Sequence, residues 1–576
     1  MLLALIASLF AAVFPFAISQ GPAAGSAADV SVLTTGPAGA HGFVRVEGGR
    51  LMTSAGELRL SGANLTGPGN FPSKPDAVKL AEKLMRFGIN AVRLHYMDPI
   101  GEYANFMMTS EPCLCAKGTN DLDFVFIPEQ LDKLEFLVAE FKKRGIYVDL
   151  NLHVGRFHNR LGHRKGETLY NPELIASQKE YARRLLNHVN PYTGFAWKDE
   201  PSVFLVEIAN EDSIFCPWGH ENYYIKDADA AFRRFLMETE RKYYAEMKRF
   251  LKDEVGVKSL VTGSQLCASP FEVQEMFEVT IDNRYWCHPE RAGGPEWTII
   301  DAPLADFAND EHDPLAIMAK EKTPERAFLV TEYGHPYPAS YGCETLPLLG
   351  AAAAVGGWSG IFPYSFSHRS APKPEYVPFF FTIGERADIF VHQPAVSVLM
   401  REGGNVSAAA FVREAKKPRE GYALFKSPEV KFFSGWGAGR SFDLGDGFQL
   451  SFEGLTNAFA TVSVLRRGNR LLVAASSSCR NTDAAYPKVG ETPEGYPILT
   501  GKGSSWGQSP ILYTGVEARL TVPSKIAHVF ALDGNGRPLA NPVSHADQTV
   551  VLHPSYRTLW YEVGERESLA RFGHKE

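Results

Sequence analysis

The stretch "FLVEIANEDS", residues 204–213, decides the fold. Phe204, Leu205, Val206 and Ile208 read as a buried strand, which then ends in three consecutive polar residues, Asn210, Glu211 and Asp212. An amide and a carboxylate side by side at the tip of an apolar strand need a use. What surrounds that tip determines which.

Residues 41–395 repeat the pattern on either side. Strand-like runs occur at 58–65 (LRLSGANL), 89–97 (INAVRLHYM), 146–154 (IYVDLNLHV) and 202–211 (SVFLVEIANE). They continue at 259–265 (SLVTGSQ), 278–286 (EVTIDNRYW), 327–334 (AFLVTEYG) and 357–366 (GWSGIFPYSF). Between them lie stretches such as "DAVKLAEKLMRFG" and "PEQLDKLEFLVAEFKKRG", with apolar residues at helical spacing. These two end in Gly88 and Gly145, as helix C-caps do. Eight strands with intervening helices predict an α/β fold, a (β/α)8 TIM barrel over residues 41–395. A doubly wound open sheet would carry a glycine-rich phosphate turn after its first strand, and "LSGANLTGPG" is not that turn.

Past residue 395 the helical periodicity stops. Short alternating runs such as "GFQLSFEGL", "RLLVAASSS" and "TLWYEVG", separated by turns such as "DLGDG" and "LDGNG", predict an all-β C-terminal domain, a β-sandwich, over residues 396–576. At the other end, "MLLALIASLFAAVFPFAIS" reads as a signal peptide, residues 1–19, with Ala17 and Ser19 spaced like a cleavage site; an uncleaved anchor is the alternative. Residues 20–40 read as a flexible leader. No later segment reaches the ~18 uninterrupted apolar residues of a membrane helix. The expectation is a secreted, periplasmic or extracellular protein with no membrane span in its mature form.

With 12% aromatic residues and a net charge of −7, the chain lacks the basic footprint of a nucleic-acid binder and suits a neutral substrate that stacks on rings. Seven cysteines leave at least one without a partner in the chain, and one or two disulfides are allowed. Cys113 and Cys115 are spaced neither for a mutual bridge nor for zinc. His153, His158 and His163 do not share a helical face, and no carboxylate completes a site. No metal and no cofactor are expected.

The strand tips carry the chemistry. Arg93 and His95 end the second strand on one face, and Asp149, Asn151 and His153 share a face of the third. Polar residues on this period are costly inside a barrel unless they are used or hydrogen-bonded. The fourth strand ends in Asn210-Glu211, the sixth in Asn283, Tyr285 and Trp286, and the seventh in Glu332-Tyr333. Two carboxylates at one rim suit a carbohydrate substrate. In retaining glycoside hydrolysis one neutral acid protonates the leaving oxygen while a carboxylate ~5–5.5 Å away attacks the anomeric carbon. Glu332 is assigned as nucleophile, held ionised by Arg93, and Glu211 as the acid that later serves as base. Asn210 is assigned to the sugar's 2-hydroxyl. Glu207, mid-strand, reads as a hydrogen-bonded interior residue, Asp212 as a cap of the following turn, and Trp218 and Trp286 as either stacking or packing surfaces. Asn64-Leu65-Thr66 and Asn405-Val406-Ser407 match glycosylation sequons.

The ordered set "VRLHYMD", "VDLNLHV", "VEIANEDS" and "LVTEYGHP" resembles clan A glycoside hydrolases, and within them the family 5-like, cellulase-type exported enzymes. The resemblance covers roughly residues 42–400 and extends into the β domain. It implies Glu211 as acid/base, Glu332 as nucleophile, Arg93 and His153 as supporting residues, and Tyr285 as a hydrogen-bond donor to the nucleophile. Two departures stand out. The sixth strand reads Asn283-Arg284-Tyr285 where the family has His-x-Tyr, and the eighth lacks the usual tryptophan platform, leaving Phe366 or Tyr364 for that place. They are the only support for the alternative, a non-catalytic carbohydrate-binding protein on the same barrel. The insertion "GEYANFMMTSEPCLCAKGTNDLDFVF" is expected to wall the cleft, and the β domain to brace the barrel.

Overall fold

The computed structural model describes residues 13–99, 111–120, 122–156, 165–215, 229–290, 296–371, 373, 375–403, 406–415, 418–452 and 459–566. Eight parallel strands form the expected barrel: β1 (Leu60–Thr66), β2 (Ala91–His95), β3 (Tyr147–His153), β4 (Val203–Ala209), β5 (Leu260–Thr262), β6 (Val279–Tyr285), β7 (Ala327–Gly334) and β8 (Gly360–Ile361). Each pairs with its neighbours in sequence, β1 pairs with β8, and a parallel bridge between Gln265 and Ile281 joins the β5 side to β6.

The barrel interior changes character along its length. Leu60, Ala91, Tyr147, Leu205, Val279, Leu329 and Phe362 form an apolar cluster at the amino-terminal end. A Cβ on Gly62 would lie 2.3 Å from the Phe362 ring, so only glycine lets that ring enter the interior. One or two pleats further on the buried residues are polar: Asn64, Arg93, Asp149, Asn151 and Glu207. Buried polar groups need partners, and these find them in one another.

The C-terminal residues form a β-sandwich. An eight-stranded antiparallel sheet runs from Phe411–Glu414 to Pro538–Pro542, and a four-stranded sheet contains Ser441–Gly445, Phe448–Ser451, Ala518–Thr521 and Thr549–Leu552. Phe433, Val462, Val473 and Val563 of the first share a core with Phe442, Leu450, Leu520 and Val550 of the second. The helix Gln393–Glu402 spans the expected boundary at 395, and the sandwich strands begin at Phe411. Buried Asp306, in the connection that follows β6, accepts hydrogen bonds from the Trp436 indole (3.0 Å) and the Tyr496 hydroxyl, fixing barrel to sandwich.

The expectation of a flexible leader needs correction. Residues 20–40 are not a flexible leader: Ala28, Val30, Leu33 and Ala38 are buried, and the Val30 amide donates to the Arg86 carbonyl at 2.9 Å. Before them, Val13–Pro15 pairs antiparallel with Leu512–Thr514, and Phe14, Phe16 and Ile18 are buried. The Lys83 ammonium, which burial pushes down to about 8, donates to the Ile18 carbonyl at 2.7 Å. A cut after Ser19 would remove the Val13–Pro15 pairing, these three apolar side chains and the Lys83 contact; a cut before Val13 would not. Each of the three apolar side chains is worth about 1.5–3 kcal/mol when buried. A chain beginning at Gln20 is therefore expected to melt several degrees below one beginning at Val13. Equal melting temperatures would show that the segment adds no stability.

All six described cysteines are free. Among the described residues no helix is long and apolar enough to cross a membrane. Of the insertion after β2, Cys115–Lys117 and Phe124–Phe126 form a two-stranded sheet with Cys113, Leu114 and Cys115 buried; residues 100–110 and 121 lie outside the described residues.

Candidate active site

At the carboxyl rim the two glutamates are joined through a chain of hydrogen bonds by way of Arg93, Asn210 and Asn283. Arg93 of β2, fully buried, stands at its centre. Its Nε and Nη2 donate to the two Glu207 oxygens at 2.8 and 2.7 Å. Nη2 also donates to Asn210 Oδ1 at 2.8 Å, and Nη1 donates to Glu332 Oε1 at 2.8 Å and to Asn64 Oδ1 at 3.2 Å. A planar guanidinium with five donors suits so many acceptors, which a lysine would not satisfy. Burial works against the Arg93 charge, but Glu207 and Glu332 outweigh it. Asp149 lies beside Glu207, and burial, with the Glu207 charge adding to it, pushes its carboxyl well up, against the pull of the Arg93 charge.

Glu332 is 5% exposed. A register shift between Asp282 and Asn283 of β6 sets Glu332 opposite Asn283. Its Oε2 accepts from the Tyr285 hydroxyl at 2.6 Å, and His95 Nε2 lies 3.7 Å from Oε1. Burial raises the Glu332 carboxyl to about 7; Arg93 and Tyr285 pull it down, while the Glu211 charge adds to the rise. Burial and the Arg93 charge push His95 far down, so its imidazole is neutral.

Neighbouring strand residues face opposite ways, yet Asn210 and Glu211 reach the same group: Asn283 Nδ2 lies 3.3 Å from Asn210 Oδ1 and 2.9 Å from Glu211 Oε1. Glu211 has φ of +47°, and this left-handed turn at the strand end swings its side chain back toward the site. The Gln265 side-chain oxygen accepts the Glu211 amide hydrogen, fixing the turn, and Cys267 Sγ lies 4.0 Å from Glu211 Oε1. The Lys165 ammonium donates to the Asn210 carbonyl at 2.8 Å. Asp212 accepts from the Gly166 amide at 2.6 Å and from Thr168, tying down the segment that carries Lys165.

The structure thus brings Arg93, His95, Asn210, Glu211, Asn283, Tyr285 and Glu332 together. Three expected residues lie elsewhere. Trp286 follows Tyr285 and so faces outward, its indole donating to the Ala302 carbonyl at 2.8 Å and its ring 5.0 Å from Phe307. The Phe366 ring packs 5.3 Å from Phe390 with the Lys83 ammonium 5.4 Å above it, outside the barrel. Tyr364 takes the place expected of Phe366, 5.7 Å from His95 and 6.2 Å from Tyr285. His153 turns its ring to Tyr181 of the helix Pro172–Asn187, at 5.6 Å, and serves the site through its carbonyl, which accepts the Asn210 amide hydrogen at 2.9 Å. Asn64 is buried and donates to the Thr331 and Phe362 carbonyls, so its sequon is closed to a glycan. His158, His163, Trp218 and Asn405 lie outside the described residues. Among the described residues no group of three or more His, Cys, Asp or Glu could hold a metal ion.

Sequence reasoning passed over Gln265, Cys267 and Lys165. Gln265 ends the expected fifth strand, two residues after Gly263, and that position at a strand tip was the available signal. Lys165 had none, because it lies in a loop.

No protein-family model and no curated protein sequence matches the chain. Solved structures similar to it include an endo-β-1,4-mannanase from Thermotoga petrophila, 14% identical, with a TM-score of 0.47 over 73% of this chain and 95% of that one. An endo-1,4-β-mannanase from Rhizomucor miehei is 15% identical, with a TM-score of 0.43 over 56% and 90%. A GH5_18 protein from Streptomyces cattleya is 13% identical, with a TM-score of 0.40 over 61% and 82%.

Proposed function

We propose that this protein is a retaining β-glycoside hydrolase of clan A, family 5-like. It would cleave a β-glucan, β-mannan or β-galactoside type of glycan, and would be exported with the segment from Val13 onward retained. The observation that carries this reading is the pairing at the rim: Glu332 pinned by Arg93 and Tyr285, and Glu211 turned toward it on Asn283. Glu332 attacks the anomeric carbon as Glu211 gives its proton to the departing oxygen. The glycosyl-enzyme bond forms and the glycosidic bond breaks. Glu211, now a carboxylate and no longer facing the Glu332 charge, takes a proton from water, which displaces Glu332 and regenerates both groups. Asn210, held by Arg93 through its oxygen, keeps its amide hydrogens for the sugar's 2-hydroxyl.

Proton NMR of the first product from aryl β-glycosides of glucose, mannose, galactose and xylose tests the reading. The β-anomer is expected to form first from at least one of them. The α-anomer first would contradict retention, and no hydrolysis of these or of longer β-glycans would contradict the enzyme reading.

Glu332 must be ionised to attack, so kcat/KM is expected to fall as pH drops through about 7. The Tyr285 hydroxyl favours the carboxylate. Tyr285→Phe is therefore expected to move this acidic limb to higher pH and to lower kcat by about 10- to 100-fold. A pH profile identical to that of the parent would separate Tyr285 from the nucleophile.

A further inference from the structure

We propose that the β-sandwich domain completes the active site through an arm, residues 479–514, and that Asn481 on this arm is a positioning residue for Tyr285. The inference rests on the glycosidase reading above. The arm leaves the sandwich after the strand Arg470–Ser476 and returns at Ala518–Thr521. It reaches the barrel loops: Pro497–Thr500 pairs antiparallel with Thr298–Ile300, in the connection between β6 and β7.

Between arm and barrel mouth runs a strap, residues 375–383, with no helix or strand of its own. Asn481 is fully buried and grips the strap by its backbone. Its Oδ1 accepts from the Val377 amide at 3.0 Å, and its Nδ2 donates to the Val377 carbonyl at 3.0 Å and to the Trp506 carbonyl at 2.9 Å. The Trp506 indole donates to the same Val377 carbonyl at 2.6 Å, and the Asn481 amide donates to the Tyr337 hydroxyl at 3.0 Å. The buried carboxamide thus joins the sandwich arm to the strap with both its oxygen and its nitrogen, while the backbone amide of the same residue holds the loop after β7.

The other side of the strap meets the catalytic groups. The Phe380 carbonyl accepts from the Tyr337 amide at 2.7 Å, and the Phe380 ring lies 5.2 Å from Trp506. Next to it, the Phe381 carbonyl accepts from the Ser365 amide at 2.5 Å. The Phe381 ring stands 5.0 Å from Tyr285, 6.1 Å from Tyr364 and 5.3 Å from His288. Phe381 therefore backs the ring whose hydroxyl holds Glu332. A segment without a hydrogen-bond ladder of its own keeps its place only through such clamps, and a small displacement of an oriented group is costly to catalysis. If the strap slackens, the Tyr285 ring gains room to tilt and its hydroxyl leaves Glu332.

The test uses the full chain with Asn481→Ala, and Val473→Ala in the sandwich core as a control for lost stability. Asn481→Ala is expected to lower kcat about tenfold with a smaller change in KM, and to move the acidic limb of kcat/KM to higher pH, as Tyr285→Phe does. Val473→Ala is expected to lower the melting temperature and leave the limb in place. Wild-type kcat and limb in folded Asn481→Ala, or equal shifts in both variants, would overturn the proposal. Should Asn481→Ala not fold, Trp506→Phe, which keeps the ring and loses one donor to Val377, is expected to shift the limb in the same direction by less; no shift would overturn it. Hydrogen exchange reads the link without turnover. Protection is expected to fall together at 375–383 and 283–287 in Asn481→Ala, and loss confined to 375–383 would show a brace with no hold on Tyr285. A wild-type chain inactive on every β-glycan would refute the glycosidase reading, while the exchange experiment would still decide whether Asn481 positions Tyr285.

Discussion

Glu332→Ala is expected to lower kcat on an activated β-glycoside by about 10⁴-fold or more, the scale at which removal of a catalytic nucleophile is felt. The reason is specific to this site. Glu332 has both oxygens held by groups that favour the anion, Arg93 on one and Tyr285 on the other, leaving its attack direction fixed. The residual reaction should respond to azide. In Glu332→Ala the anion can enter the vacated face and give the α-glycosyl azide by a single inversion. In Glu211→Ala the glycosyl-enzyme still forms from a substrate with a good leaving group, and azide released from the need for a base gives the β-glycosyl azide. Products of opposite anomeric form from the two variants would assign both roles at once. The same anomer from both, or the roles exchanged, would overturn the assignment.

Arg93→Met is expected to cost about 3–5 kcal/mol of stability, because it leaves Glu207 and Glu332 buried without their counter-charge. Both carboxylates accept from this one guanidinium at 2.7–2.8 Å. Urea unfolding measures the loss. Arg93→Lys keeps a charge and cannot reach both carboxylates and Asn210 together, so it should fall between Met and the parent. Adding Glu207→Gln to Arg93→Met removes one stranded charge and is expected to restore part of the stability but none of the activity. A single Met variant as stable as the parent would mean that Arg93 is not the centre of the buried network.

The alternation of side chains along strands made much of this legible. It placed Arg93 with His95 and Asp149 with Asn151, and it set Glu211 and Glu332 at one rim because each ends a recognisable strand. The same rule, applied strictly, separates Tyr285 from Trp286, and the structure obeys it. Asn210 and Glu211 break the rule, through a left-handed φ that a non-glycine residue does not announce. β8 is short, Gly360–Ile361, and beyond it the chain follows the strap: the Ser365 amide donates to the Phe381 carbonyl, so Tyr364 and Phe366 part company where a longer strand would have kept them on one face. Residues 20–40 hid Ala28, Val30 and Leu33 among small and polar neighbours, whose composition suggests a linker. Contacts such as that between Asn481 and Val377, 104 residues apart, leave no local pattern at all.

The measurement that bears most directly on the central claim is intact-protein mass, followed by peptide mapping, after incubation with activated 2-deoxy-2-fluoro β-glycosides of glucose, mannose, galactose and xylose. The fluorine slows both steps and the activated leaving group restores only the first, so a covalent glycosyl-enzyme accumulates. One adduct per chain, on Glu332, is the predicted result, and the sugar that reacts fastest names the preferred glycone. An adduct on another residue, or none in a protein that hydrolyses the parent glycosides, would contradict it.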